Sequence, residues 1–217
     1  MGIDDVWPLF ALEIRTPRLT LRPIRDEDLP ALAVAALQGI HDADRMPFGV
    51  PWTDAAPEEI PRNLAMYQWS LRQVSPENWS IAFGVHVDGA LVGVQDLSAR
   101  GFADRRTVGS GSWLTKSAQG RGFGTEMRAG LLLFAFDVLG AEWAESSAAS
   151  WNERSLAVSR SLGYEPNGVT RVAPRPGEPV DEVRVRLGQR RFRRPDWRAT
   201  VHGADAALAQ LGIAGPG

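Results

Sequence analysis

The sequence predicts an α/β domain of the α+β kind: a mixed, largely antiparallel sheet flanked by about four helices. Segments of alternating apolar and polar residues outnumber the helical stripes, and several follow one another as hairpins, the clearest around Asp88-Gly89, a favoured tight-turn dipeptide. At 217 residues the chain holds one full hydrophobic core, and 44% apolar with 23% charged residues is ordinary globular composition.

The first strand lies in RLTLRP, where Leu19 and Leu21 alternate with Thr20 and Arg22 before Pro23 closes the run. A helix follows, with Asp26 as the expected N-cap, Glu27 and Asp28 in its first turn, and Leu29, Leu32, Ala33, Ala36 and Leu37 as its apolar stripe up to Gly39. HDADRMPFGVPWTDAAP is loop chemistry, with Pro47, Gly49, Pro51 and Pro57 around Phe48 and Trp52. A second helix is expected over about 57–72, although Pro61 falls within its first turns. WSIAFGVHVDGALVGVQDL reads as the hairpin. RTVGSGSWLT reads as a strand in which Gly109 and Gly111 mark a bulge or the close approach of another group. After QGRGFG a helix runs to about Leu139, with Gly140 just past its end. A short strand at WAESSA leads to the helix of SWNERSLAVSRSLGY, where Ser150 and Glu153 have capping-box spacing and Gly163 is the stop. VTRVAP and DEVRVRL form the last two strands. The expected domain covers residues 1–190. Residues 191–217 form a tail, RRFRRPDWR and then AALAQL, that packs on the domain or at a subunit interface such as that of a homodimer.

Composition excludes several classes of chemistry. With no cysteine there are no disulfides, thiolate metal sites or cysteinyl intermediates, and a cytoplasmic setting is expected. A net charge of −2 gives no overall field to hold nucleic acid or an anionic membrane, so any phosphate site is local. The start, MGIDDVWPLFALEI, lacks a positively charged leader, and no apolar run reaches membrane-span length.

The local phosphate site is sought in Q-x-x-G-x-G, residues 119–124. The dinucleotide fingerprint fails there, because counting from Gly120 or Gly122 its third glycine falls on Thr125 or Met127, and the P-loop fails for want of a Lys after Gly124. What remains is a glycine turn between a strand and a helix, which aims backbone N–H groups outward where the helix dipole favours an anion; such turns also occur with no ligand. Arg121 can add a charge.

Q-x-x-G-x-G, preceded by GSWLT and followed by NERSLAVSRSLGY, resembles the GNAT superfamily of acyl-CoA-dependent N-acyltransferases, and TPRLTLRPIRDEDLPAL resembles the branch containing the ribosomal-protein N-terminal acetyltransferases. The resemblance spans about residues 16–165. It implies a sheet of six to seven strands whose central pair splays to hold the cofactor. It also implies acetyl-CoA or another short acyl-CoA as co-substrate with no metal, and a small-molecule or peptide amine as acceptor. On this basis the amides of Gly120, Arg121, Gly122, Phe123, Gly124 and Thr125 bind the coenzyme A pyrophosphate, Gln119 belongs to the same cofactor site, and the backbone of Trp113, Leu114 and Thr115 pairs with the pantetheine arm. Asn152 contacts the arm, and Ser155 donates to the departing thiolate. Ser159 stands where many members carry a tyrosine acid.

The chemistry needs a base for the amine, for which Glu145 and Asp96, on strands bordering the cleft, are the candidates, with His41 and Asp44 as a further option. The loop holding Phe48 and Trp52 is expected to wall the acceptor pocket, with Trp69, Trp79 and Trp113 as additions. The rival reading is an acyl-CoA-binding module without catalysis, suggested by the missing tyrosine.

Overall fold

Tight turns and prolines cut the chain into short segments, and the computed structural model describes residues 1–213 of it. In chain order these are α1 (Ile3–Val6), β1 (Glu13–Arg15), β2 (Thr20–Pro23), α2 (Leu29–Leu37), α3 (Ile60–Ser70), β3 (Asn78–Val87) and β4 (Ala90–Arg100). They continue with α4 (Phe102–Arg105), β5 (Thr107–Gly109), β6 (Ser112–Leu114), α5 (Phe123–Leu133), β7 (Trp143–Ala149), α6 (Glu153–Leu162), β8 (Glu165–Arg175), β9 (Glu178–Gly188), β10 (Thr200–His202) and α7 (Ala204–Gln210).

The ten strands form one sheet in the order β10-β1-β2-β3-β4-β5-β7-β9-β8, with β6 paired to β4 off this path. Every pair is antiparallel except β5 with β7. The sheet is larger than the six to seven strands expected, because β1 (Glu13–Arg15) precedes the first strand expected and for two further reasons. The tail adds β10 against β1, and RTVGSGSWLT forms two strands, β5 and β6, where one was expected. The hairpin turn is as read: Asp88 and Gly89 both have positive φ, 49° and 82°, as the twist of flanking strands favours.

Three helix boundaries differ from expectation. Asp26 does not cap α2; the Asp28 carboxylate accepts the Arg25 N–H at 2.9 Å and pairs with Arg22, while Asp26 takes Arg72 and the Trp69 indole N–H. The second helix starts at Ile60, which puts Pro61 in its first turn, where a missing N–H costs nothing. In α6 the cap is Asn152, whose Oδ1 accepts the Ser155 N–H at 3.2 Å, so Ser150 and Glu153 form no capping box. Beyond α5 the helix continues as a π turn, Phe134–Val138, before Gly140 ends it at φ 70°.

Apolar side chains form two layers, one on each face of the sheet. The larger contains Trp79, Phe83, Phe134 and Phe136 with α5, and each such buried ring stabilises the fold by roughly 1.5–3 kcal/mol. The smaller packs α2 and α3 on Ile24, Ala82 and Val94. Phe192, Leu208, Leu211 and Ile213 of the tail join the larger layer, and the last tail residues, 214–217, lie outside the described residues.

Candidate active site

The site begins where the sheet opens. β5 runs parallel to β7 as far as Gly109 opposite Glu145, and the Ser110 N–H donates to the Glu145 carbonyl at 3.0 Å. Beyond this the chain kinks at Ser110-Gly111 and β6 pairs with β4 alone, in the register Gly93 to Leu114, Val94 to Trp113 and Gln95 to Ser112. The Asp96 N–H donates to Gly111 and the Thr115 N–H to Val92. Antiparallel alternation then turns the backbone groups of Ser112 and Leu114 away from β4, into the gap facing β7. Trp113 and Thr115 therefore offer the gap no main-chain partner. This corrects the expectation for those two residues, leaves it on Leu114 and adds Ser112. The Leu114 carbonyl accepts the Gln119 side chain at 2.9 Å, and its N–H remains aimed at the gap.

At one end of the gap lies the glycine turn. Gly120 and Gly122 have φ of 73° and 82°, a conformation L side chains rarely adopt, and a Cβ on Gly120 would meet nothing within 4 Å. The Glu126 N–H donates to Gly122 at 3.1 Å, closing the first turn of α5; the N–H groups of Phe123, Gly124 and Thr125 precede that turn and have no intrahelical partner. These amides at a helix N-terminus fit an anion. Phe123 is expected to act through its amide, and of the side chains here only Gln119 serves differently from expectation. Phe123 is buried in the core at 3% exposure, so only its backbone can face a ligand. Gln119 is committed through Nε2 to the Ile40 and Leu114 carbonyls at 2.7 and 2.9 Å, so it ties the turn to the segment that follows α2 and to β6 and leaves the anion to the amides.

The sequence reading missed the clamp behind this turn. Glu126, itself buried, accepts from Thr16 Oγ1, the Arg18 N–H and Arg18 Nε, and Arg18 donates onward to the Arg121 carbonyl at 3.1 Å. The only signal was a carboxylate in the first turn of a helix next to glycines.

Across the gap, α6 begins at Asn152. Its Oδ1 is used by the cap, and its amide donors point to no other described partner. Ser155 is half-buried one turn into the helix. Ser159 is buried and its hydroxyl donates to the Ser155 carbonyl at 3.2 Å, which removes it as an acid.

On the face covered by α2 and α3, residues of alternate parity on β4 place Asp96 beside Val94, Trp113 and Gly111, and a Cβ on Gly111 would sit 3.7 Å from Asp96 Oδ2. Asp96 Oδ1 is buried and has no hydrogen-bond partner. Burial pushes this carboxyl up to about 7, and its charge adds to the burial that pushes the Tyr67 hydroxyl up to about 12. Glu145 lies on the same face two strands away, opposite Gly109 and Arg186.

The Pro-rich loop reaches this face. Phe48, Trp52 and Trp113 stack in sequence, with ring centroids 5.3 and 5.9 Å apart. Lys116 holds Asp42 at 2.6 Å, and Arg175 of β8 holds Asp54 at 2.7 Å and the Ala43 carbonyl at 3.0 Å. Both His41 ring nitrogens are engaged, with the Asp42 carbonyl and Thr53 Oγ1. Trp79 is not part of this wall, being buried on the opposite face, and Trp69 bonds Asp26 on the outside of α3.

Among the described residues no cluster of His, Asp or Glu could hold a metal ion, and no helix is long and apolar enough to cross a membrane.

The chain is similar over 95% of its length to Mycobacterium smegmatis RimJ solved with CoA-disulfide, at 20% identity, 96% of that chain and a TM-score of 0.65. The ribosomal L7/L12 alpha-N-protein acetyltransferase RimL, solved with coenzyme A, matches 80% of this chain and 95% of its own at 19% identity and a TM-score of 0.58. A chimera of the Vibrio cholerae spermidine N-acetyltransferase SpeG with hSSAT matches 80% and 96% at 19% identity and a TM-score of 0.60. Residues 18–165 match the family described as the acetyltransferase (GNAT) domain, which is most of the chain and includes the split strand, the glycine turn and the capped helix after it. The protein is a member of the GNAT acetyltransferase family.

Proposed function

We propose that this chain moves an acetyl or other short acyl group from acyl-CoA to a primary amine by direct attack within a ternary complex. The observation that carries the reading is the alignment of three features along one opening: the unpartnered amides of residues 123–125, the free edge of β6 at Ser112 and Leu114, and a carboxyl group at Asp96 held near neutrality.

In this reading the turn amides from Gly120 to Thr125 hold the pyrophosphate, helped by Arg121, while Ser112, Leu114 and the Asn152 amide hold the pantetheine arm. The thioester supplies an activated acyl group. Leu114 N–H polarises its carbonyl, a role that needs a fixed backbone donor and no particular side chain. Asp96, through a water, takes the proton of the attacking amine; Glu145 is the second candidate on that face. Ser155 Oγ gives a proton to the departing sulfur, and Phe48, Trp52 and Trp113 exclude water around the amine. The acceptor is proposed to be a protein N-terminus or a polyamine, the classes named for RimL and SpeG.

Saturating acetyl-CoA should stabilise the pure protein by about 2.7 kcal/mol at a hundredfold excess over Kd, which for a chain of this size raises Tm by roughly 5–10 °C. If neither CoA nor any short acyl-CoA moves Tm, the reading fails. Ser155→Ala should lower kcat by about tenfold or more and leave that shift in place, because the residue acts on the leaving thiol and not on the pyrophosphate. An equal loss of binding and turnover would reassign Ser155 to the cofactor arm.

A further inference from the structure

At the root of the gap, on the α5 face, lies a cluster of buried polar side chains that the reaction outlined above does not use. Arg128 of α5 is 4% exposed, and among the described residues no carboxylate lies within 4 Å of its guanidinium. Its Nη1 and Nη2 reach Ser146 Oγ and Ser112 Oγ, both at a long 3.3 Å, and its Nε has no partner. The Tyr164 side chain is 5% exposed; its hydroxyl faces Ser110 and Arg128 yet completes a hydrogen bond with neither, and the Ser110 hydroxyl is also unpartnered. Ser146 Oγ donates to the Ser110 carbonyl at 2.8 Å, which leaves it placed to accept from the guanidinium.

A guanidinium keeps its charge at any working pH, and a buried charge with no counter-charge is strongly unfavourable. Water could satisfy the two hydroxyls but would not neutralise the arginine. The site is thus built for an anion that the chain does not supply. The pyrophosphate is a poor candidate, since the turn that fits it sits before α5 and Arg128 lies more than a turn further along the helix, under the sheet. The guanidinium reaches instead to Ser112, which lies two residues or about 7 Å along the β6 edge from Leu114, on the side toward the strand split. An acyl chain whose carbonyl is held at Leu114 has that distance to fill.

We infer that the pocket of Arg128, Tyr164, Ser110 and Ser146 receives the terminal carboxylate of a dicarboxylic acyl group, so that the favoured donor is a four-carbon thioester of the succinyl type. The inference rests on the acyl-CoA reading above. The carboxylate accepts from the guanidinium and from the Tyr164 and Ser110 hydroxyls, and charge-assisted bonds of this kind are among the stronger ones available to a protein. Transfer leaves the carboxylate untouched: the bond from the amine nitrogen to the acyl carbon forms, the carbon–sulfur bond breaks, a proton passes from the amine through Asp96 to solvent, and the sulfur takes one from Ser155 as Ser155 takes one back from water.

Calorimetric titration of the full chain with CoA, butyryl-CoA and succinyl-CoA tests this, butyryl-CoA having the same four carbons without the charge. Succinyl-CoA should bind at least about tenfold more tightly than butyryl-CoA. Arg128→Met should bring the ratio of the two affinities close to one, and Tyr164→Phe and Ser146→Ala should each reduce it several-fold. The ratio cancels any effect common to both ligands, and the wild-type comparison stands even if Arg128→Met does not fold. Should CoA and butyryl-CoA bind while succinyl-CoA binds no more tightly, the carboxylate pocket is overturned and the acyltransferase reading survives. Should none of the three bind, both fall together.

Discussion

Replacing Asp96 by Asn should lower turnover by about a hundredfold or more, within the range that a positioned general base contributes. In the wild type, kcat/KM should climb with pH to a plateau as the Asp96 carboxyl, pushed up to about 7 by burial, loses its proton; Asp96→Asn should flatten that limb. If the limb survives in the variant, the base is Glu145. Stability gives an independent reading. The folded-state value lies above the ordinary 3.8, so the fold prefers the neutral acid. That contribution is fully present below about pH 4 and is lost as pH rises toward 7, at up to about 1.4 kcal/mol per pH unit. The unfolding free energy of Asp96→Asn should therefore gain on the wild type between pH 4 and pH 8, and a constant difference would show that the carboxyl is not buried as described.

Gly122→Val should abolish most acyl-CoA binding, reducing affinity by at least about tenfold, or 1.4 kcal/mol. Gly122 sits at φ 82°, which a β-branched residue enters only at a cost of about 1–3 kcal/mol, and its Cβ would come 3.2 Å from Arg18 Nη2. Arg18 is the group that braces the turn through Glu126 and the Arg121 carbonyl, so strain here rotates the amides that the anion needs. Gly177→Ala is the control. It has φ 78° in the β8–β9 turn with nothing within 4 Å of a Cβ, so it should show backbone strain alone, with acetyl-CoA still raising Tm. Equal Tm shifts in the Gly122 variant and the wild type would remove the turn from the cofactor site.

Local chemistry was legible wherever it is spelled out by neighbours in the chain. Asp88-Gly89 needs only its own φ preferences to make a turn, and the glycines at 120 and 122 need only theirs to start α5 in a left-handed step. The kink at Ser110-Gly111 was half visible: Gly109 and Gly111 signalled an irregularity, but which residues face the gap depends on register against β4, and register is a property of two strands. The competition between Ser150 and Asn152 for the α6 cap was likewise open in sequence, because both are good caps, and Ser150 is taken up by β9, its N–H donating to the Asp181 carbonyl.

The pocket of Arg128 had no sequence signal. An arginine in an amphipathic helix reads as a solvent-facing residue, and serines in strands read as neutral. Only the closing of α5 over the split between β6 and β7 turns Arg128 inward and gathers Ser110, Ser112, Ser146 and Tyr164 around it, from three separate segments. The same holds for Asp96, whose residue type could have meant a solvated strand end; burial beneath α2 and α3 raised its pKa.

By itself, then, the sequence determined the class of fold, the glycine turn and its order relative to the strand and helix around it, since these follow from backbone preferences and patterns within a few residues. The tertiary structure alone decided which backbone groups line the opening, which carboxyl is desolvated and where an unpaired positive charge is buried, because each depends on what distant segments exclude water from.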